Sequence, residues 1–552
     1  MCGIAGLLTP GLRDADGITA TLQKMTHSLA HRGPDAEGYW TEGEVALGHR
    51  RLSILDLSNA GAQPMRSKSG RHVIVFNGEI YNHLDMRRDL AVHGATTDWL
   101  GHSDTETLLA GITHWGLEET LQRAKGMFAL ALWDRSEKRL YLSRDRMGEK
   151  PLYWGWAGQA LVFGSELKAL RAHPDCPRDV CRDALAQYLR FMYVPAPRSI
   201  HPGLYKLEPG TILTVDGAPP STPPEEPIRP GGHHGSISIR RYWDLNAEIE
   251  TGAQNQIEDK GDAVAALGEV LGKAVQRQMI SDVPLGAFLS GGVDSSAIVA
   301  LMQAQSARPV QTFTIGFDEA TFDESPYAAA VASHLGTAHT KLRVTDKDAR
   351  DVIPYLPDLY DEPFADSSQI PTHLVCRAAR QHVTVALSGD GGDELFEGLR
   401  AHIPNLVFCI FTSDKTNLDV ALDRSGVTER HWIQVSRLPP EEMPAALIQC
   451  DLALALFQRA FSTQFILPIK LGEYLLAGLP IIGTAGVGPV EPLIEAGVML
   501  PLNEDLSEVW PWVRDNVICQ QKVIRKQSHA IGLAHFSLQA SVDSYLAALE
   551  QT

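Results

Sequence analysis

Residues 287–304 read AFLSGGVDSSAIVALMQA: an apolar run, a turn of Ser, Gly and Asp, then an apolar segment long enough for a helix. A strand that ends in small residues and feeds a helix points backbone N–H groups and the helix N-terminus at one spot, which suits phosphate. The alternation continues on both sides. VQTFTIGFD at 310–318 and VTVALSGDGGDE at 383–394 are further apolar runs, and a helical run at 262–278 comes first. Strand, glycine-rich turn and helix in alternation predict a parallel α/β sheet. No GK[ST] follows the glycines, so a Walker-type loop is disfavoured. Another alternating set starts near residue 403 with NLVFCIFTSD and HWIQVSRL.

The first 170 residues have a different texture. Short β-rich runs (ALGHRRLSIL, HVIVFNGEIY, MFALALWD, RLYLSRD, ALVFGSE) crowd together, with helices expected only near 17–30 and 104–114. That pattern predicts sheet packed on sheet with helices outside. The stretch 216–240, DGAPPSTPPEEPIRPGGHHGSISIR, is rich in Pro, Gly and Ser and reads as a loop or linker. The expected plan is therefore a multidomain α/β and α+β chain: 2–212, a linker at 213–260, a parallel-sheet domain at 261–400, and a Rossmann-like lobe at 401–552.

The formal charge of -18 disfavours nucleic acid or an anionic membrane as a partner. Seven cysteines, an odd number without CxxC or zinc spacing, fit a reducing compartment. The segment MCGIAGLLTP has no basic region or long apolar core, and the most apolar stretches, 404–412 and 474–483, fall short of a bilayer span. A cytoplasmic location is expected, and a homodimer stays open.

Cys2 carries the sharpest chemistry. Once Met1 is removed, its thiol stands beside a free α-amino group that can act as its general base. MCGIAGL, His31-Arg32-Gly33-Pro34-Asp35, Arg51-Leu52-Ser53-Ile54, Asn77-Gly78-Glu79-Ile80-Tyr81-Asn82 and Ser103-Asp104-Thr105-Glu106 follow in order. With GMFALALWD and RDRMGEKPLYW, this set resembles the class II glutamine amidotransferases, which are N-terminal nucleophile hydrolases. The resemblance implies that Cys2 attacks the amide and that Arg51 pairs the α-carboxylate of glutamine, a task suited to a planar guanidinium. Asp104, with Glu79, would take the α-ammonium. The Asn77 amide and the Gly78 N–H would hold the tetrahedral oxyanion.

The sequence Ser290-Gly291-Gly292-Val293-Asp294-Ser295-Ser296 resembles the pyrophosphate loop of enzymes that cleave ATP between its α- and β-phosphates. Thr312–Phe317 would be the next strand, and Ser388-Gly389-Asp390-Gly391-Gly392-Asp393-Glu394 would close the site, with Asp361-Glu362-Pro363 and Ala365-Asp366-Ser367 also fitting. Amidotransferase, linker and pyrophosphatase domain in this order resemble the glutamine-hydrolysing asparagine synthetase family, which adenylates aspartate with ATP before ammonia displaces AMP. The resemblance implies nucleotide contacts at Leu289, Ser290, Gly291, Gly292, Asp294, Ser295, Ile315, Ser388 and Gly389, with Asp390 near the acyl-adenylate. It implies Mg2+ at Asp294 and Asp393, because hard cations take oxygen ligands.

After Phe396-Glu397-Gly398 the family pattern breaks. The family's catalytic lysine and its arginine-containing motif ending in Pro-Phe are not found, which predicts weakened adenylation and ammonia lost to solvent. Pro468, Lys470, Glu473, Gly478, Pro480 and Glu491 instead resemble the nucleotide-sugar-binding half of a GT-B glycosyltransferase, with Phe465 where the usual partner acid stands. Three readings follow: an ATP- and Mg2+-dependent amidotransferase acting on aspartate, a nucleotide-sugar transferase, and an ATP-binding fusion that completes no synthesis.

Overall fold

The computed structural model describes residues 1–392 apart from 12–13, 96–97, 258 and 318–322. Beyond 392 it describes 453–455, 481–484, 491–497, 499–502, 526–528 and 530. Two compact units, Met1–Glu394 and Leu395–Thr552, divide the chain.

In the first unit the strands are β1 Gly3–Leu8, β2 Ala36–Glu42, β3 Val45–Arg51, β4 Met65–Arg66, β5 His72–Ile80, β6 Gly126–Asp134 and β7 Arg139–Arg144. They continue as β8 Tyr153–Ala157, β9 Ala160–Gly164, β10 Leu204–Lys206, β11 Thr211–Asp216, β12 His233–His234 and β13 Ile237–Arg241. One sheet has the order β10-β8-β9-β1-β3-β2, the other β12-β13-β11-β7-β6-β5-β4. All six residues of β1 are buried, which an edge or surface strand would not tolerate. Ile4, Leu8, Leu47, Val73, Val75 and Leu142 join the core between the two sheets. Ile18, Leu22 and Met25 of the helix Ala15–His27 cover the outer face of the first sheet. Leu108, Leu109 and Ile112 of the helix Asp104–Trp115 cover the second. The result is the expected pair of sheets with helices outside. At about 25 cal/mol per Å2 of buried apolar surface, these three layers of contact are the main stabilising term.

The segment 213–260 differs from its expectation as a linker. Residues 211–216 form β11, which pairs with both β7 and β13, so the second sheet runs on to Arg241. Proline and glycine signalled a loop, but here they mark tight returns between short strands. The proline carbonyls are occupied: Trp156 Nε1 donates to Pro220 O at 2.8 Å and Tyr205 Oη to Pro224 O at 3.2 Å.

Further on, β14 Leu285–Phe288, β15 Gln311–Phe317, β16 Ala338–Val344 and β17 Val385–Leu387 form a parallel sheet in the order β16-β15-β14-β17. Strand β14 runs into Leu289–Gly292 and the helix Val293–Ala304; β17 runs into Ser388–Gly392. Two glycine-containing loops thus leave the carboxyl ends of neighbouring strands, where α/β sheets bind ligands. In the second unit, β18 Ala453–Ala455, β19 Ile481–Thr484 and β20 Met499–Leu502 pair in parallel, and a helix covers Glu491–Glu495. The glycosyltransferase-like residues Phe465, Pro468, Lys470, Glu473, Gly478 and Pro480 lie outside the described residues. Among the described residues no helix is long and apolar enough to cross a membrane.

Candidate active site

Cys2 stands just before β1. Its Sγ accepts from Leu52 N at 3.4 Å and faces Leu52 O at 3.6 Å, while its carbonyl accepts from Arg32 Nε at 2.9 Å. Arg32 is held in turn by Glu166 at 2.6 Å. Burial pushes the thiol's pKa up, so it needs a nearby base to ionise. Met1 still precedes Cys2, and burial pushes its ammonium down to about 5.

Cys2, Arg51, Asn77, Gly78, Glu79 and Asp104 all line one cavity, about 60 Å3 with Met1 in place. Asn77 lies inside β5 and is 1% exposed, yet neither its amide nitrogen nor its amide oxygen has a partner. Each such orphan costs about 1–3 kcal/mol, so a folded chain keeps them only where something else fills the role. Gly78 is opposite Phe128 on β6, and a Cβ there would lie 2.2 Å from Met127 O. The strand pairing itself therefore demands glycine beside the asparagine.

Arg51 ends β3. Its guanidinium donates to Ser58 O at 2.9 Å and to Asp56 O, which leaves other N–H donors of the fork for a ligand. Ser103 caps the helix Asp104–Trp115, its Oγ accepting from Glu106 N at 3.2 Å, a contact worth about 1 kcal/mol. The cap sets Asp104 in the first turn, where its carboxylate accepts from Ile80 N and Thr105 N, each at 2.8 Å. Burial raises the pKa of Asp104. Burial, reinforced by Asp104, pushes Glu79 up to about 8, so Glu79 holds a proton at neutral pH.

This gives a pH signature. Between about pH 4.5, the ordinary value, and about 8, the folded chain keeps a proton that the unfolded chain releases. The contribution of Glu79 to stability therefore falls as pH rises through that window. Glu79→Gln removes the titration. Its melting temperature relative to wild type should climb from pH 5 to pH 8, as read by thermal denaturation; a gap independent of pH would contradict a protonated Glu79.

Two lining residues were not read from the sequence. Gln63 accepts from Phe76 N at 2.6 Å and donates to Thr105 Oγ1 at 3.3 Å, bracing the strand that carries Asn77. Lys150, 5% exposed, reaches only Met127 Sδ, at 2.7 Å, and burial lowers its pKa. Its signal lay in RDRMGEKPLYW: the Asp145 carboxylate accepts from Met147, Glu149 and Lys150 backbone N–H groups and fixes that turn.

A second cavity, of about 400 Å3, is lined by Leu289, Ser290, Gly292, Asp294, Ser295, Ile315, Ser388, Gly389 and Asp390. The hydroxyls of Ser290 and Ser295 meet at 3.0 Å, and Ser290 Oγ accepts from Gly292 N at 3.3 Å, shaping the loop. Gly292 offers no side-chain cap to the helix that starts at Val293, so its first N–H groups stay available to an anion. The two loops touch: a Cβ on Gly389 would fall 2.6 Å from Ser295 N. Gly291, expected at the nucleotide, does not line this cavity; with φ +91° it turns beside Tyr327 instead. Asp393 lies outside the described residues.

Asp361 and Glu362, which fit the family pattern, do not line that cavity. Asp361 accepts from Lys168 N at 2.7 Å; Glu362 pairs with Lys206 and accepts from Ile200 N at 3.2 Å. These acids fasten the parallel-sheet region to the double-sheet region. Burial pushes both carboxyls up, so they depend on those partners.

Residues 1–222 match a glutamine amidotransferase domain family and residues 266–432 an asparagine synthase family. The second match continues beyond residue 398, where the family pattern had seemed to break. Asparagine synthetase [glutamine-hydrolyzing] 1 of Bacillus subtilis is 36% identical over 405 residues, covering 72% of this chain, which spans 59% of that relative. Putative asparagine synthetase [glutamine-hydrolyzing] 2 of Methanocaldococcus jannaschii is 34% identical over 489 residues, 82% of this chain and 88% of its own length. Among solved structures, a B. subtilis glutamine phosphoribosylpyrophosphate amidotransferase complexed with ADP and GMP aligns at 16% identity with a TM-score of 0.33, covering 75% of this chain and 94% of its own.

Proposed function

From the premise that the chain belongs to the glutamine-hydrolysing asparagine synthetase family, we propose that it hydrolyses glutamine at Cys2 and uses the ammonia to amidate an ATP-activated aspartate. The observation that carries the first half is the unpartnered Asn77 amide sharing one cavity with Cys2, Arg51 and Asp104. Arg51 binds the α-carboxylate of glutamine. Asp104 and Glu79 receive the α-ammonium, whose arrival favours loss of the Glu79 proton. After Met1 is removed, the α-amine of Cys2 takes the thiol proton. The thiolate attacks the carboxamide carbon, and Asn77 and the Gly78 N–H receive the oxyanion. The amine returns the proton to departing ammonia, and water then cleaves the thioester to glutamate.

The second cavity suits ATP. Leu289 and Ile315 in the lining would pack against the base, and the uncapped helix N-terminus at 293 together with Ser290, Gly292 and Ser295 would receive the phosphates. Mg2+ usually takes one or two carboxylates and leaves its other positions to water and phosphate. Asp294 and Asp390 in the lining fit that donor set, with Asp393 a further ligand, and the ion would offset charge on the departing pyrophosphate. Asp294→Ala should weaken Mg2+-dependent ATP binding by about tenfold or more and leave glutamine hydrolysis intact. Calorimetric titration with ATP, with and without Mg2+, reads this; equal affinity in both proteins would remove Asp294 from the metal site. Incubation with glutamine, ATP, Mg2+ and aspartate, with products identified by mass spectrometry, tests the whole reaction.

A further inference from the structure

Asp282 lies between the helix Lys260–Gln278 and β14 and lines neither cavity. It nevertheless grips the strap that follows β3. Its Oδ2 accepts from Asp56 N at 2.8 Å and meets His102 Nε2 at 2.7 Å, and its own N–H donates to Ile54 O at 3.0 Å. The inner side of that strap is the glutamine site. Leu52 touches the Cys2 sulfur through both its N–H and its carbonyl. The carbonyls of Asp56 and Ser58 hold the Arg51 guanidinium.

The strap has a strained, committed shape. Asp56 is 1% exposed and takes φ +57°, a region L residues rarely adopt. Its carboxylate accepts from Ser58 N at 3.1 Å and His102 N at 2.8 Å. From the parallel-sheet region, Asp282 fixes the same turn through its backbone. As charge pairing the contact is weak, because the Asp282 and His102 side chains are 38% and 60% exposed. As backbone anchoring it is specific: it holds both a donor and an acceptor of the strap, two residues apart.

We propose that Asp282 is a positioning residue for glutamine binding, reaching from the parallel-sheet region to set the strap that orients Arg51. The proposal rests on reading Cys2 as the glutaminase nucleophile. From Asp282 the chain runs through β14 to Ser290, which lines the second cavity.

Glutamine hydrolysis by the full, Met1-processed chain tests it, with Asp282→Ala, Asp282→Asn and Cys2→Ala side by side. Asparagine keeps an acceptor for Asp56 N. Asp282→Ala should raise the glutamine KM about tenfold with kcat within about twofold, as loss of ground-state positioning requires. Asp282→Asn should restore KM to within about threefold of wild type. An unchanged KM in Asp282→Ala, or equal losses of kcat in both variants, overturns the positioning role. Hydrolysis surviving in Cys2→Ala would instead remove the nucleophile reading on which it rests.

Discussion

Cys2→Ala should abolish glutamine hydrolysis, lowering kcat by on the order of 10⁴–10⁶, as removing a nucleophile from a preorganised site does. Among the described residues the remaining free cysteines are Cys176, Cys181 and Cys376, and none lines the cavity. Product formation supplied with ammonium salt should persist, because the second cavity shares no lining residue with the first. Release of glutamate from glutamine, measured in both proteins, checks the prediction; equal rates would remove Cys2 from the chemistry.

Asn77→Ala should lower kcat by roughly 10²–10³ with little change in KM, since its amide acts on charge that develops only in the transition state. The fold should survive the change, because neither amide atom bonds to the protein. Removing a buried, unpaired amide should even stabilise the chain slightly, read as a higher melting temperature. Arg51→Ala should behave oppositely, raising KM, since the carboxylate is held in ground and transition states alike. If the two variants shared one kinetic signature, their roles would not be divided as proposed.

The double sheet was legible because β5, β6 and β9 carry short, largely apolar runs, and the parallel sheet because β14 and β17 each run into small residues. The segment 213–260 was misread because proline and glycine signal turns without saying whether the intervening residues pair. The helices His83–Val92 and Arg182–Phe191 went unread, since the first buries only His83, Met86 and Leu90 and carries a weak apolar stripe. In the first cavity, the motif residues Cys2, Arg51, Asn77, Gly78, Glu79 and Asp104 converge. The protonation of Glu79 had no sequence signal, because it depends on burial beside Asp104. Asp282 had none either: its partners Asp56 and His102 are 226 and 180 residues away, and only the fold brings them together.

The proposed reaction is tested most directly by following glutamate, ammonia, AMP and asparagine together in one incubation with glutamine, ATP, Mg2+ and aspartate. Glutamate should equal free ammonia plus asparagine, and AMP should equal asparagine. Free ammonia in excess of asparagine would measure how far hydrolysis runs uncoupled from amidation. Asparagine formed without AMP, or glutamine left intact while AMP accumulates, would contradict hydrolysis at Cys2 feeding an ATP-dependent amidation.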